Sequence, residues 1–280
     1  MGTLQKQLSA GNLVDAHKRV KMSKRVIRST KAGVPIVRAV ERAIALLRAF
    51  SSERPRQTLT ELALSTSLDK NTTRRLLHTL EAGGLVEHSE GHYALSFGLH
   101  ELLSAVTVGG DLRDIALPTM HRVAAETSAT TFLWVYQDGF AVCVERVRPP
   151  QPTVEVTWSP IGSRNTLNSG GGPLTILGYL PPEKLAVALE HPLISRTPFS
   201  ITNPGELQRR AAKIAKDGYV IAENDFVVGL SGVGVPILHP NGDLIAALSI
   251  SSLCDHVKSI VEADGVKKLK MYAHAIARRL

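Results

Sequence analysis

At 280 residues the chain has room for one large domain or two ordinary ones, and a composition of 44% hydrophobic and 21% charged residues excludes wholesale disorder. No apolar run approaches the roughly 18–20 residues that cross a bilayer, and the start lacks the apolar core of a secretory signal, so a cytoplasmic protein with no membrane partner is expected. The net charge of +8 is unevenly spread: residues 1–33 carry eight basic side chains against one acid, residues 34–97 eight against seven, and residues 98–280 balance.

The first segment, 1–33, reads as a basic, disordered arm. Such an arm either contacts phosphates and releases counterions, or is simply a solvated extension. Helical periodicity then begins. From Ile36 to Phe50, apolar residues recur at Val37, Val40, Ala43, Ile44, Leu47 and Phe50, one stripe of an amphipathic helix. Ser51, Ser52 and Pro55 break it. A second, short helix is expected from Thr60, a capping residue ahead of Leu62 and Ala63. A third runs from Lys70 to Ala82 and stops at Gly83-Gly84. Two strand-like pieces, 85–88 and 92–95, flank Ser89-Glu90-Gly91 as a hairpin. Residues 34–97 therefore read as a winged helix-turn-helix.

The third helix separates two chemistries. At about 100° per residue, Thr73, Leu76, Leu77 and Leu80 fall on one side, and Asn71, Arg74, Arg75 and His78 on the other. The first side can pack on the preceding helices. The second presents the groups that double-stranded DNA calls for: guanidinium for guanine O6 and N7, and amide for adenine. Lys70, Thr72 and the amides at the helix start can hold phosphate. On one helix this is only a polar face; the order helix, short helix, turn, basic helix, hairpin makes it a candidate DNA reader. Because the module's own charge is only +1, two copies are expected to bind together.

Helical pattern resumes from Ser96 to about Thr127, divided at Gly109-Gly110 into a linker helix (98–110) and the helix that opens a C-terminal domain (111–280). Strands are expected at 131–136 and 140–147 around Gln137-Asp138-Gly139, and again at 154–158. The Gly-rich stretch 168–172 leads to a helix ending near Leu180. A helix at 206–217, strands at 219–222, 232–238 and 244–251, and a closing helix from Val257 to Arg279 complete an α+β domain with a mostly antiparallel sheet.

Cys143 and Cys254 have no metal-ligand spacing and read as buried, reduced thiols. No HExxH, GxSxG or CxxC occurs, so no catalytic residue, metal or cofactor is assigned. Two alternatives stay open: an enzyme with an appended DNA-binding domain, and a ligand-independent DNA-binding dimer.

The chain from about residue 34 onward resembles the IclR family of bacterial transcriptional regulators. The likeness rests on Val37-Arg38-Ala39-Val40-Glu41-Arg42-Ala43, on the run from Leu68 to Leu80, and on Gly84-Leu85-Val86 with Gly91 to Leu95. Gly218-Tyr219, Gly229-Leu230, Val235-Pro236-Ile237 and the run from Ala247 to Ser251 continue it. The resemblance implies a linker helix leading to a GAF-like effector domain. It also implies homodimers or tetramers on operator DNA that repress or activate, often at catabolic operons, in response to small organic or aromatic acids. By position it assigns the effector site to Gly170, Gly171, Gly232, Ser249 and Ser251. Ala222 stands where the family usually has an acid, and Gly232 where it often has cysteine. The pocket is therefore expected to be roomier and less polar than the family's, suited to a larger or aromatic acid, with Arg164 as a steering cation.

Overall fold

The computed structural model describes residues 35–280 apart from 52, 53, 105, 106, 153, 155 and 157. The expected basic arm lies outside the described residues. The chain divides into two units, the first ending at Leu103 and the second running from Ser104 to Leu280.

The first unit contains α1 (Arg38–Leu47), β1 (Arg56–Thr58), α2 (Leu59–Thr66), α3 (Lys70–Ala82), β2 (Val86–Ser89), β3 (His92–Leu95) and α4 (Gly98–Ser104). The expected third helix has the expected bounds. The second starts earlier than Thr60, because Thr58 is the cap. Its hydroxyl accepts from the Glu61 amide at 3.3 Å, and the Glu61 carboxylate accepts from the Thr58 amide at 2.7 Å, a reciprocal capping box. These hydrogen bonds hold the exposed Glu61 carboxyl below its ordinary range. Ahead of the cap lies a strand not foreseen: β1 pairs antiparallel with β3, giving a three-stranded wing in the order β1-β3-β2. Gln57 anchors it, buried, donating its amide to the Ala49 carbonyl at 2.9 Å.

A small core of Leu46, Ala49, Phe50, Leu62, Leu77, Leu80, Val86 and Tyr93 holds this unit together. Only part of the stripe expected on α1 serves it. Phe50 is buried, whereas Val37 is 64% and Val40 55% exposed. The buried face is centred on Leu46, Ala49 and Phe50, at the far end of the segment from Val37 and Val40.

The second unit is a six-stranded antiparallel sheet, order β6-β5-β4-β9-β8-β7, with helices on both faces. It is built from α5 (Thr107–Thr127), β4 (Thr130–Gln137), β5 (Phe140–Val147), β6 (Arg164–Thr166), α6 (Gly171–Gly178), α7 (Pro182–Glu190), α8 (Pro204–Asp217), β7 (Val220–Glu223), β8 (Leu230–Leu238), β9 (Leu244–Leu253), α9 (Cys254–Glu262) and α10 (Gly265–Ala277). Side chains alternate across the strands. Leu133, Leu248 and Ile250 meet α5, α9 and α10, while Phe132, Trp134 and Ala247 meet α6, α7 and α8.

Four expectations change here. Gly109 and Gly110 lie inside α5 instead of dividing it. A glycine costs a helix about 1 kcal/mol relative to alanine, less than burying Leu112, Met120 and Val123 returns on the same helix. The described residues of 154–158 form no strand, and β6 takes the sheet edge beside β5. The segment after Pro181 forms α7, started by Pro182 at its first position. The closing helix is two helices, separated by Ala263 and a left-handed Asp264.

The buried Glu145 on β5 is paired with Arg113 of α5 at 2.6 Å, tying that helix to the sheet. Cys143 is a buried thiol that burial pushes up to about 12, the opposite of a nucleophile's shift, and Cys254 is half-buried.

Candidate functional site

Two surfaces carry the chemistry, one in each unit. On α3, Thr73, Leu77 and Leu80 are buried, Leu76 is half-buried, and Lys70, Asn71, Arg74, Arg75 and His78 are exposed, with Thr72 between. All six candidate DNA contacts thus share one helix, and the five exposed ones lie away from the core. Asp69 caps the helix, its carboxylate accepting from the Thr72 amide at 2.8 Å. The Thr72 hydroxyl and then its amide hold the exposed Asp69 carboxyl below its ordinary range. One amide expected to face phosphate is therefore already taken, and an acid sits beside it. The Asn71 amide adds a weaker contact to the same carboxylate.

The second surface is a cavity of about 50 Å³ where the start of α6 meets β8 and β9. Gly170, Gly171, Gly232, Ser249 and Ser251 all line it, so the fold brings together the whole set that the resemblance suggested. Gly171 and Gly172 open α6, with Gly170 as the residue before its first turn. Gly170 takes the left-handed φ of 84° that turns the chain into α6. Gly171 lies so close to β8 that an added Cβ would sit 3.0 Å from the Val233 carbonyl carbon, and one on Gly172 would fall within the Trp134 indole. The glycines let a helix start rest directly on a sheet.

The cavity is small and carries a buried carboxylate. Phe132, Trp134, Trp158 and Phe226 wall it, filling the space that small side chains leave. Asp225, three residues past Ala222, supplies a buried carboxylate, 8% exposed, with both oxygens 3.1 Å from the Gly170 amide. Arg164 does not line the cavity. Its guanidinium donates to the Gln137 side chain at 2.8 Å and backbone at 3.0 Å. Ser249 accepts from Trp134 Nε1 at 3.0 Å, Ser251 donates to the Ser231 carbonyl at 3.1 Å, and the buried Ser169 hydroxyl has no partner among the described residues.

The segment from Ile194 to Ile201 is strapped across residues 224–226. Thr197 donates to the Asn224 carbonyl at 2.6 Å, Ser200 donates to the Asp225 carbonyl at 2.7 Å, and the Arg196 guanidinium lies 4.2 Å from the Phe226 ring centre. Sequence reasoning missed Asp225, Ser169 and the aromatic walls. The period-two placement of Phe132 and Trp134 could have put those two on one sheet face. Nothing local marks Asp225, whose position depends on a chain reversal 55 residues after Gly170.

Burial raises the Asp225 carboxyl from its ordinary 3.8 to about 6; the Gly170 amide opposes this first, then Arg210 of α8, and the backbone amides of Asp225 and Phe226 add less. A carboxyl raised on folding lends stability that is full below pH 3.8 and lost as pH rises through about 6. The interval corresponds to about 3 kcal/mol. Asp225→Asn should therefore lose less stability than wild type between pH 4 and 7, measured by urea unfolding of the full chain. Parallel pH profiles would show that Asp225 is not titrating in the fold.

Among the described residues no cluster of His, Cys, Asp or Glu is placed to hold a metal ion, and no helix is long and apolar enough to cross a membrane. Comparison with known proteins gives consistent matches. The IclR helix-turn-helix domain profile matches residues 39–90, and that of the bacterial transcriptional regulator IclR C-terminal domain matches residues 104–278. The chain is 25% identical over 250 residues to the HTH-type transcriptional regulator XynR of Escherichia coli K12, covering 88% of this chain and 98% of that one. It is 25% identical over 238 residues to the p-hydroxybenzoate hydroxylase transcriptional activator of Acinetobacter baylyi, covering 83% and 88%. A crystal structure of an IclR homolog from Microbacterium hydrocarbonoxydans, complexed with 4-hydroxybenzoate, superposes with a TM-score of 0.76 at 26% identity, covering 86% of this chain and 98% of that one. With a DNA-binding helix-turn-helix followed by an effector domain, and with both profiles matched in order, this chain belongs to the IclR family of bacterial transcriptional regulators.

Proposed function

We propose that Lys70, Asn71, Thr72, Arg74, Arg75 and His78 dock α3 in the major groove of a double-stranded DNA operator in the cytoplasm, with two or four copies of the chain bound together. The observation that carries this reading is the division of α3, whose base-reading side chains are exposed while Thr73, Leu77 and Leu80 are buried. A net charge of only +1 on residues 34–97 gives one module little nonspecific hold on phosphate. Exposed Val37 and Val40 on α1, with Phe97, Leu102 and Leu103 at and within α4, support a second copy as the partner. Arg75→Ala and Arg74→Ala should each weaken specific operator binding by about 1–3 kcal/mol in gel shift. Unchanged affinity would remove them from the base contacts. Equal affinity for duplexes with one and two half-sites would reject the joint binding.

The pocket of Gly170, Gly171, Gly232, Ser249 and Ser251 binds a small organic acid that controls this contact at a catabolic operon, and its four aromatic walls favour an aromatic acid. The Acinetobacter baylyi activator's name and the 4-hydroxybenzoate bound by the Microbacterium hydrocarbonoxydans homolog support that class. A cavity of about 50 Å³ does not take an aromatic ring without movement of its walls. Phe226, stacked under the Arg196 guanidinium of the 194–201 strap, is one of those walls. Failure of every benzoate to bind the wild-type chain would reject this effector class.

A further inference from the structure

We infer that Asp225 selects the effector by accepting a hydrogen bond from a ring hydroxyl, so that the pocket takes hydroxy-substituted aromatic acids in preference to unsubstituted or capped ones. This rests on the aromatic-acid reading above and adds to it which end of the ligand goes where. The start of a helix attracts an anion, and a ligand carboxylate is the obvious candidate for it. Here the protein already fills that place: both Asp225 oxygens lie 3.1 Å from the Gly170 amide at the head of α6. Among the described residues, Asp225 is the only acid lining the cavity, and no Lys, Arg or His lines it. Two cations lie near enough to act on the Asp225 charge, but each is committed to another group. Arg210 donates to the Ile221 carbonyl at 2.7 Å, and Arg196 stacks on Phe226.

A second carboxylate brought to this end would face a like charge in a poorly solvated space. A hydroxyl meets the opposite situation. A carboxylate has about four acceptor sites, and the backbone amides around Asp225 leave capacity for another donor. Burial also pushes the Asp225 carboxyl up to about 6, the mark of a charge short of solvation that a further donor relieves. The ligand's own carboxylate is kept from this end by repulsion. Ser249 suits it, since that hydroxyl accepts from Trp134 Nε1 and has no acceptor for its own proton among the described residues.

The chain's two tryptophans, Trp134 and Trp158, both line the cavity, so intrinsic fluorescence reports occupancy directly. Full-length wild type and Asp225→Asn are titrated with 4-hydroxybenzoate, benzoate and 4-methoxybenzoate at pH 7.5. Wild type should bind 4-hydroxybenzoate at least about tenfold more tightly than either other acid, as expected for a hydrogen bond to a charged group. In Asp225→Asn the amide oxygen can keep the Gly170 amide and turn its NH₂ into the cavity. The preference should then fall below about threefold or reverse. A wild-type preference below threefold, or one that survives in the variant, overturns the inference and leaves the aromatic-acid reading standing. If none of the three binds wild type, both fall together. The variant's melting transition reports its fold, and the wild-type ratio can overturn the inference without it.

Discussion

Replacing Leu77 with alanine should destabilise the first unit by about 2–5 kcal/mol, the range for truncating a fully buried leucine that leaves a cavity. Leu77 is fully buried at the centre of α3 and is one of eight apolar residues that form that core among the described residues. A module this small has little stability in reserve, so a loss of this size approaches its whole margin. Operator binding should fall with it, although Leu77 faces away from the candidate DNA surface. Temperature separates the two causes. A folding defect should recover in gel shift on cooling toward the temperature of maximum stability, whereas the loss from Arg75→Ala should persist with an unaltered melting curve. A Leu77→Ala protein that melts like wild type would mean that α3 is not held by this core.

Gly172→Ala should damage the second unit through too little space instead of too much. The added methyl would fall within the Trp134 indole. That ring is 4% exposed and held by its Nε1 hydrogen bond to Ser249 at 3.0 Å, so it cannot swing aside without giving up the bond. Overpacking of this kind costs about 1–3 kcal/mol. The same displacement reaches the pocket, because Trp134 and Ser249 both line it. Expected together are a lower melting temperature, an altered tryptophan emission and weakened binding of benzoates. A variant with native emission and stability would show that α6 can lift from the sheet at no cost, and that the glycines there are not required for packing.

Local rules made much of the first unit legible. The amphipathic split and Gly83 fixed α3 to its observed ends, and the Glu90-Gly91 turn marked the wing hairpin. They failed where a partner lies far along the chain. Gln57 and β1 look like loop until β3 supplies the hydrogen bonds, and Thr58 outcompetes Thr60 as a cap because Glu61 stands three residues on. In the second unit, Gly109 and Gly110 read as a break because their local cost is visible and the burial of α5 against the sheet is not.

The candidate sites divide the same way. The division of α3 between a core face and a candidate base-reading face is a property of residue order at helical period, so it was readable before any fold. The pocket's glycines and serines were reached through resemblance, and β9 alternation puts Ser249 and Ser251 on one face. Its charge and size were settled by packing. Asp225 comes to Gly170 from 55 residues away, four aromatic side chains converge from three separated stretches of chain, and Arg164 is drawn to Gln137 instead. Periodicity determines which face a residue takes on its own element. Only the approach of distant elements decides which faces meet, and with them how much room and charge a pocket holds.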